Sequence, residues 1–317
     1  MKENKTQKKK ITVATGTYRN GRLFPVRRDV LGSSPSCDRY LFIFLGLILF
    51  HIFRAHAAGR VCSLVGVEGG HALGGSLGVL RALHVMGVRY LTLTSTCDTP
   101  WAQCALADAM GNADPDHEGL APFGRLIIKE MNRLGMMVDL SHVSQSTMRA
   151  ALNATAAPIL FSHSSARALC NSSRNVPDEV LRQVASNRGL VMVNFYSQFL
   201  ACKNTAGVAD AIAHINHIRD VAGIESVGLG AGYDGINFTP KGLEDVSTYP
   251  LLFAELLAAG WSTEELKKLA GLNFLRVFEE VERVRDEQAG AGIPPYEDSN
   301  IQPWPGLGYN CTSQDLF

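Results

Sequence analysis

The sequence predicts an α/β fold with a parallel sheet, arranged as a (β/α)8 barrel of the TIM type. From about residue 61 onward, short apolar runs rich in β-branched residues alternate with stretches of helical spacing, joined by short loops. The strands are apolar throughout, as expected of parallel strands covered on both faces. Because "GVEGGH" in the first strand is neither a G-x-G-x-x-G nor a P-loop pattern, a barrel is favoured over an open nucleotide-binding sheet.

The first half of this region contains three predicted strands, each followed by a helix. "CSLVGVE" is a short buried strand that ends at Glu68, and "GSLGVLRALHVMG" carries leucines near one helical face. "VRYLTLTS" is a β-branched and aromatic strand. "GLAPFGRLIIKEMNRLG" is a helix that ends at glycine, and "MMVDLSH" is the next strand. "SQSTMRAAL" begins with Ser144, a good N-cap for a helix.

The second half continues the same alternation. "APILFSH" and "LVMVNFY" are strands, and "VPDEVLRQVASNRG" between them is a helix with Pro177 and two acidic residues in its first turn. "VADAIAHINHIRDVAG" is a helix and "SVGLGAGYDG" is the last strand. Two helical stretches, 249–259 and 262–282, complete the region.

The composition is that of an ordinary globular protein. Apolar residues make up 46% and charged residues 19% of the 317, which excludes disorder and coiled coil and leaves enough chain for a large core. The formal net charge of +0 provides no electrostatic footprint for nucleic acid, so a small partner is expected. The seven cysteines include no CxxC spacing, which disfavours a thiolate zinc site.

The N-terminal segment and the sequons indicate the secretory pathway. A basic beginning precedes the apolar run 40–53, and "AHA" at 55–57 resembles a signal cleavage site. The run is a signal peptide, a signal anchor or, as the alternative, a buried helix of the fold. Glycoprotein character and some disulfides are expected because four N-x-[ST] sequons occur, beginning at Asn153, Asn171, Asn237 and Asn310.

Polar residues cluster at the predicted strand ends, where barrel enzymes carry their functional side chains. Two successive strands end in Ser-His, at His142 and His163, and an earlier strand ends at Glu68. Either histidine alone is better explained as a buried residue satisfied by backbone, whereas both together with Glu68 form a zinc-like ligand set. His214 and His217 lie i, i+3 on one helix and are predicted to face solvent. The other polar strand-end residues are Ser95, Asn194 and Asp234.

Long segments of the chain resemble a known family. "GVEGGHALGGSLGVLRALHVMGVRYLTLT", "GLAPFGRLIIKEMNRLGMMVDLSHVS" and "FSHSSARALCNSSRNVPDEVL" closely resemble the membrane dipeptidase (renal dipeptidase) family of zinc peptidases, and the resemblance covers about 61–282. It implies a (β/α)8 barrel with a binuclear zinc centre that hydrolyses dipeptides through a metal-activated water. It also implies a homodimer, usually disulfide-linked, at the cell surface.

The resemblance assigns roles to individual residues. Glu68 matches the carboxylate that bridges the two zinc ions, and His142 and His163 match the imidazole ligands of the second zinc. Arg174 matches the arginine that holds the substrate's carboxylate. The resemblance also implies an intrachain disulfide between Cys170 and Cys202, and it makes Cys311 the candidate for an intermolecular disulfide.

The sequence also departs from the family pattern. The His-x-Asp of the family's first strand, which supplies the other zinc's ligands, is absent, because none of the nine histidines is followed two residues later by Asp. Ser95 stands where the family has a substrate-contacting histidine. Gly232 replaces the proton-shuttle aspartate, whereas Asp234 matches the second aspartate of that motif. Cys97 lacks its family partner and is expected to be free.

These features predict three parts of the chain and leave three functional hypotheses. The parts are an atypical segment 1–60, an incomplete dipeptidase-like barrel 61–285 that lacks the initial strands, and a tail 286–317. The first hypothesis is a zinc-dependent dipeptidase. The alternatives are a catalytically impaired homologue that binds a partner at the cell surface, and a truncated or misjoined gene product. The tail lacks the hydrophobic stretch of a GPI signal, so the family's usual anchor is not expected.

Overall fold

The structure is a computed structural model that describes residues 51–111 and 119–297, together with the backbone of 14–19, 22–23 and 48–50. The described strands are β1 (Ala14–Arg19), β2 (Arg22–Leu23), β3 (Ser63–Glu68), β4 (Val88–Thr92), β5 (Met137–Asp139), β6 (Leu160–Phe161), β7 (Leu190–Val193) and β8 (Val227–Leu229). The described helices are α1 (Ile48–Ala57), α2 (Leu77–Val85), α3 (Ala105–Met110), α4 (Pro122–Leu134), α5 (Gln145–Ala154), α6 (Asp178–Asn187), α7 (Ser197–Ala201), α8 (Val208–Ala222), α9 (Tyr249–Ala258), α10 (Thr263–Lys267) and α11 (Asn273–Gly290).

The strands form one sheet in the order β2-β1-β3-β4-β5-β6-β7-β8. Each neighbouring pair is parallel except β1 with β2, which is antiparallel. The predicted α/β fold and incomplete barrel are confirmed, because β3 to β8 form a curled parallel half-barrel. Two strands from the N-terminal segment extend it, and β1 lies parallel to β3 with Tyr18 opposite Val67.

The side chains of each strand alternate between two apolar clusters, as the pleat of a strand requires. One face packs against α11, whose Phe274 and Phe278 are buried there. The other face packs against the surrounding helices in the larger cluster. Gly66 is needed on the first face because a Cβ there would lie 1.9 Å from the ring of Tyr90. The strand residues on the face toward α11 are Leu64, Tyr90, Met137, Leu160 and Leu190. Those on the opposite face are Val67, Leu91, Val138, Phe161 and Val191.

The apolar run 40–53 reaches into α1, and its residues 40–47 lie outside the described part of the chain. Ile52 of α1 is buried in the same cluster as Phe278 of α11. The described end of the run therefore packs onto the half-barrel, in keeping with the alternative of a buried helix. Within the described residues, we find no helix whose length and apolar character would suffice to cross a membrane.

A buried carboxylate connects three separate parts of the fold. Glu130 of α4 has a fully buried side chain and accepts hydrogen bonds from Arg81 of α2 at 2.6 Å and from Arg133 at 2.7 Å. The backbone N–H of Tyr296, beyond α11, donates to the same carboxylate at 3.2 Å. Two guanidinium groups thus compensate the burial of one charge. The same carboxylate attaches the segment after α11 to α4 through the N–H of Tyr296.

Several sequence-based expectations are corrected by the structure. His214 does not face solvent, because α8 buries its ring between the N–H of Ala166, which donates to Nδ1 at 3.0 Å, and the carbonyl of Leu200, 2.8 Å from Nε2. Cys97 is not free, because it is disulfide-bonded. The stretch 262–282 is helical as predicted, and a π-helical turn with Gly271 at φ 155° separates α10 from α11 within it. Cys311 and Asn310 lie outside the described residues.

Candidate active site

The candidate site lies at the edge formed by the carboxyl ends of β3, β5 and β6. Glu68 is the last residue of β3, whereas His142 and His163 follow β5 and β6 by three and two residues. The register aligns Glu68 with Thr92 and Thr92 with Asp139. Parallel strands in register bring their carboxyl ends to one edge, so residues far apart in sequence meet there.

The structure brings Glu68, His142 and His163 into direct contact. Nε2 of His142 lies 3.2 Å from Oε1 of Glu68 and 2.9 Å from Nε2 of His163. Nε2 of His163 lies 4.0 Å from Oε2 of Glu68. Each side chain can offer one ligand atom such that all three atoms lie within 4.8 Å of one another, so the group could hold a metal ion.

His142 is held in an uncommon backbone conformation. Its φ is 71°, in the left-handed region that few residues other than glycine adopt. The carbonyl of His142 accepts hydrogen bonds from the N–H of Ala105 at 2.6 Å and from the hydroxyl of Thr94 at 3.0 Å. These two contacts fix the strained peptide and aim the imidazole at Glu68. Strain maintained in this way is common at functional sites.

A second layer of polar groups, which the sequence analysis missed, surrounds the carboxylate of Asp139. This buried carboxylate accepts the hydroxyls of Thr92 at 2.5 Å and Ser162 at 2.6 Å, and the N–H groups of Ser141 at 3.0 Å and Ser162 at 2.8 Å. The hydroxyl of Ser162 is also 2.8 Å from Nδ1 of His163. Strand alternation could have predicted the burial of Asp139, because residues two positions apart in a strand lie on the same face. Asp139 is two positions beyond Met137, which is buried on the face toward α11.

Burial and neighbouring charges act on the ionisation of the cluster. Burial alone would raise the pKa of Glu68. The positive charge of His142 and its hydrogen bond to the carboxylate oppose burial, and His163 and Arg174 lower the pKa further by smaller amounts. Together these groups hold the pKa of Glu68 well below its ordinary value. Burial also lowers the pKa of His163. Near neutral pH the cluster therefore contains an ionised carboxylate and a neutral imidazole, which are the forms that coordinate metal ions.

Arg174 is a half-buried cation beside the cluster. Burial lowers the pKa of Arg174 to about 10, opposed by Glu68 and Asp139. Its guanidinium lies 5.0 Å from the ring centroid of Phe199, and Nη2 is 3.5 Å from the carbonyl oxygen of His163. Nε is buried and has no hydrogen-bond partner among the described residues. A planar cation with an unused buried donor is suited to binding an anionic group.

A disulfide and an asparagine brace the loop that carries Arg174. Cys170 and Cys202 are disulfide-bonded, with a Cα–Cα distance of 5.4 Å. The side-chain amide of Asn175 donates to the carbonyls of Cys170 at 3.0 Å and Phe199 at 2.7 Å. The loop before α6 and the end of α7 are thus connected twice, which keeps Phe199 against the guanidinium.

The remaining predicted site residues, Ser95, Asn194, Gly232 and Asp234, are not part of the three-residue ligand cluster. The hydroxyl of Ser95 donates to Oε1 of Glu68 at 3.3 Å. Asp234 is exposed on the 3-10 turn Tyr233–Gly235 and lies outside the ligand cluster. Gly232 precedes that turn at φ 76°, and a Cβ there would meet no atom within 4 Å. The side chain of Asn194 accepts the N–H of Tyr196 at 3.1 Å.

A parallel barrel sheet with a carboxylate and two imidazoles at its carboxyl edge is the arrangement of a metal-dependent hydrolase. The chain belongs to the membrane dipeptidase family (peptidase family M19), whose sequence model matches residues 50–291. The resemblance found in the sequence motifs is thereby confirmed.

Similar proteins include Dipeptidase 3 from Macaca fascicularis and from Homo sapiens, each 47% identical over 232 residues. Each alignment covers 73% of this chain and 47% of the relative, so the chain spans about half the length of these relatives.

Two solved structures have a similar fold. A metallopeptidase from Rhodobacter sphaeroides, liganded with a phosphinate mimic of the dipeptide L-Ala-D-Ala, is 29% identical with a TM-score of 0.67 and covers 74% of this chain and 67% of its own. An amidohydrolase from Pseudomonas aeruginosa is 25% identical with a TM-score of 0.66, covering 74% of this chain and 77% of its own.

Proposed function

We propose that this chain is a zinc-dependent dipeptidase in which Glu68, His142 and His163 hold one zinc ion. The observation that carries the proposal is the convergence of their ligand atoms to within 4.8 Å at the carboxyl edge of the half-barrel. Two imidazoles and one carboxylate are a common set for catalytic zinc, in which three protein ligands leave one position open. The donor set and its ionisation fit the ion.

A zinc ion at this site would supply a Lewis acid and a bound water with a pKa of about 7. The residues of the chain supply positioning and charge. Glu68 provides negative charge at the ligand position, and Ser95 contributes a hydroxyl 3.3 Å from its Oε1. Arg174 would bind the free carboxylate of a dipeptide through its guanidinium fork, which selects substrates that end one residue beyond the scissile bond.

One metal ion rather than two is the stoichiometry that the chain supports. The strand beside β3 is β1, and its sequence "ATGTYR" contains no histidine, cysteine or acidic residue. Within the fully described ranges 51–111 and 119–297, the only group of three or more potential ligands is Glu68, His142 and His163. We therefore propose that the retained site corresponds to the family's second zinc, and that the other zinc, whose ligands the family's His-x-Asp supplies, has no counterpart among the described residues.

Dipeptides are the substrate class that the family and the site favour together. The Rhodobacter sphaeroides relative was solved with a phosphinate mimic of L-Ala-D-Ala, and the mammalian relatives are named Dipeptidase 3. Arg174 lies beside the proposed metal ligands, and its buried Nε has no hydrogen-bond partner within the described part of the chain. Such a donor suits the carboxylate that every dipeptide carries.

The second candidate is a catalytically impaired homologue that binds a peptide or partner at the cell surface. Three departures from the family favour it, namely the missing His-x-Asp, Ser95 and Gly232. The same cluster and Arg174 would then bind a ligand without turnover. Ser95 and Gly232 replace residues that affect rate, and the missing His-x-Asp removes ligands of the other zinc, whereas Glu68, His142, His163 and Arg174 are retained.

Assembly and location follow from the family and remain part of the proposal. We propose a homodimer in the secretory pathway, membrane-associated or at the cell surface, with Cys311 as the candidate interchain cysteine. The catalytic unit is the part 61–285, with 1–60 and 286–317 flanking it.

The test is hydrolysis of a simple dipeptide by the purified chain with added Zn²⁺, measured beside a Glu68→Gln variant and a chelated sample. Glu279→Gln serves as a control because it removes an exposed carboxylate of α11. Turnover that both Glu68→Gln and chelation abolish supports the dipeptidase. A folded wild-type chain that binds Zn²⁺ and a dipeptide analogue without turnover would instead support the binding role.

A further inference from the structure

Asp139, Ser162 and His163 form a continuous chain of hydrogen bonds that ends at the candidate metal position. Oδ2 of Asp139 is 2.6 Å from the hydroxyl of Ser162, and that hydroxyl is 2.8 Å from Nδ1 of His163. The opposite ring nitrogen of His163, Nε2, faces Glu68 and His142. The side chain of Asp139 is completely buried, so the series of hydrogen bonds begins at a group removed from solvent.

We propose that Asp139 and Ser162 are positioning residues that keep the ring proton of His163 on Nδ1 and thereby present a bare Nε2 to the metal. A serine hydroxyl has one proton and two lone pairs, so it donates to one neighbour and accepts from the other. The carboxylate of Asp139 already accepts two N–H groups on Oδ1, which places it in the accepting role. Ser162 therefore donates to Asp139 and accepts from Nδ1–H of His163.

The hydrogen bonds of Ser162 also fix where the ring lies. The carboxylate of Asp139 accepts both the N–H and the hydroxyl of Ser162, so the backbone and the side chain of this residue are held by one group. The next N–H, that of His163, donates to the hydroxyl of Ser141 at 2.9 Å. His163 is therefore held at two points, its backbone N–H by Ser141 and its ring Nδ1 by Ser162.

A bare Nε2 on His163 makes the two imidazoles of the cluster unequal. Two ring nitrogens 2.9 Å apart share a proton, and Nε2 of His163 is the acceptor in this arrangement. His142 is therefore the donor in the metal-free chain, and its Nε2 proton must leave before that nitrogen can become a ligand. His163 is ready to coordinate at once, whereas His142 has to change tautomer first.

Ser162 and Asp139 thus perform the role that outer hydrogen-bond partners have for metal-bound histidines. Such partners fix the tautomer and orientation of the ring, and their loss typically weakens metal affinity about 10- to 100-fold. In this protein the hydroxyl of Ser162 lies between the carboxylate of Asp139 and the ring of His163. The effect on metal affinity rests on the proposed function, whereas the effect on the tautomer does not.

The first test is the protonation state of the nitrogens in the metal-free chain at neutral pH. Two-bond ¹H–¹⁵N correlation spectra of the full chain with ¹⁵N-labelled histidine distinguish protonated from bare ring nitrogens, and a His163→Gln spectrum assigns the signals. We expect Nδ1 of His163 to be protonated and Nε2 to be bare. A His163 ring protonated on Nε2 overturns the inference, whether or not the chain binds zinc.

The second test removes the hydroxyl. In Ser162→Ala, Nδ1 loses its acceptor, so we expect a mixed or reversed tautomer and a Zn²⁺ dissociation constant about 10- to 100-fold higher in a chelator competition. Ser162→Thr keeps a hydroxyl and should restore both readouts. Ser164→Ala is the matched control, because the Ser164 hydroxyl contacts that of Ser141 at 3.3 Å and does not contact the His163 ring.

The outcomes separate the inference from the proposed function. An unchanged tautomer in folded Ser162→Ala overturns the inference. If Ser162→Ala does not fold, the wild-type spectrum and Ser162→Thr still decide it. A wild-type chain with the expected His163 tautomer that binds no Zn²⁺ supports the positioning role and contradicts the proposed function.

Discussion

Nε2 of His142 and Nε2 of His163 lie 2.9 Å apart, although the two residues follow different strands and are 21 positions apart in the sequence. The parallel register of β5 and β6 and the left-handed backbone at His142 together produce this contact. A bound ion would replace the proton that the two nitrogens share, so metal binding and the hydrogen bond exclude each other.

The metal content is expected to be one zinc ion per chain. Glu68, His142 and His163 supply a single ligand set, and β1 contains no residue type that would complete a second. Elemental analysis after dialysis against micromolar Zn²⁺ should give a ratio close to one, and His163→Ala should reduce it to near zero. A ratio of two would contradict the single-site proposal.

Arg174 is expected to act on substrate binding through the carboxylate. Arg174→Met should raise KM for a dipeptide about 10- to 100-fold, because a hydrogen bond to a charged group contributes about 1.5–3 kcal/mol. Arg174→Lys should recover part of this, since it keeps the charge but lacks the fork. Arg182→Met, which removes an exposed arginine of α6, is the control.

A dipeptide amide provides the second arm of this experiment. The amide lacks the carboxylate, so Arg174→Met and the wild type should process it with similar KM. If Arg174→Met impaired the amide and the dipeptide equally, the arginine would have a structural role beside Phe199 instead.

Restoring the family's side chains should increase turnover. Ser95→His supplies an imidazole at the position whose hydroxyl contacts Glu68, and Gly232→Asp supplies a carboxylate where a Cβ meets no atom within 4 Å. Asp tolerates the left-handed φ of 76° at this position better than most residues. Each change is expected to raise kcat on the order of 10²-fold.

Gly235→Asp is the matched control for that prediction. It adds a carboxylate to the same turn, where a Cβ also meets no atom within 4 Å, but not at the family position. Equal gains from Gly232→Asp and Gly235→Asp would show that added negative charge alone is responsible.

The strands of the half-barrel were predictable because each combines an apolar, β-branched run with a glycine or proline boundary. Glu68 and the two Ser-His ends could be found for the same reason, since each ends such a run. The sequence also placed the start of α5 correctly, because the hydroxyl of Ser144 caps that helix.

Other features depend on contacts between distant residues and could not be obtained from local patterns. The burial of His214 results from Leu200 of α7 and from Ala166 in the loop after β6, both of which contact α8. The break at Gly271 divides a stretch with continuous helical spacing. The short helices α3 and α7, of six and five residues, contain too few residues to display a period.

The stability of the chain is expected to fall on acidification below neutral pH. Burial, and then the neighbouring Arg89, lower the pKa of His84 from 6.5 to about 4. Between these values the unfolded chain takes up a proton that the folded chain does not, so the free energy of unfolding decreases as the pH falls through this window. Urea unfolding at pH 7, 6 and 5 should show this loss.

His84→Gln tests the contribution of this single histidine. The variant should lose less stability between pH 7 and 5 than the wild type, although part of the slope should remain because burial also lowers the pKa of His214. Parallel curves for the two proteins would exclude His84 as a source of the pH dependence.

The disulfide between Cys170 and Cys202 should make a measurable contribution to stability. It closes a loop with a sequence separation of 32, for which chain entropy predicts about 3–4 kcal/mol. A Cys170→Ala/Cys202→Ala double variant should lose about that amount in urea unfolding. A loss below about 1 kcal/mol would mean that Asn175, which bonds both Cys170 and Phe199, is sufficient to hold the loop.

The carboxylate of Glu130 has a consequence for how this protein can evolve. A neutral residue at position 130 would leave the guanidinium groups of Arg81 and Arg133 without their shared anion, and a neutral residue at either arginine would leave the carboxylate under-compensated. Single substitutions at the three positions are therefore each deleterious, whereas concerted replacement by apolar residues can be tolerated. Homologues should consequently retain all three charges or none, which makes α2 and α4 an epistatic unit with little freedom to drift separately.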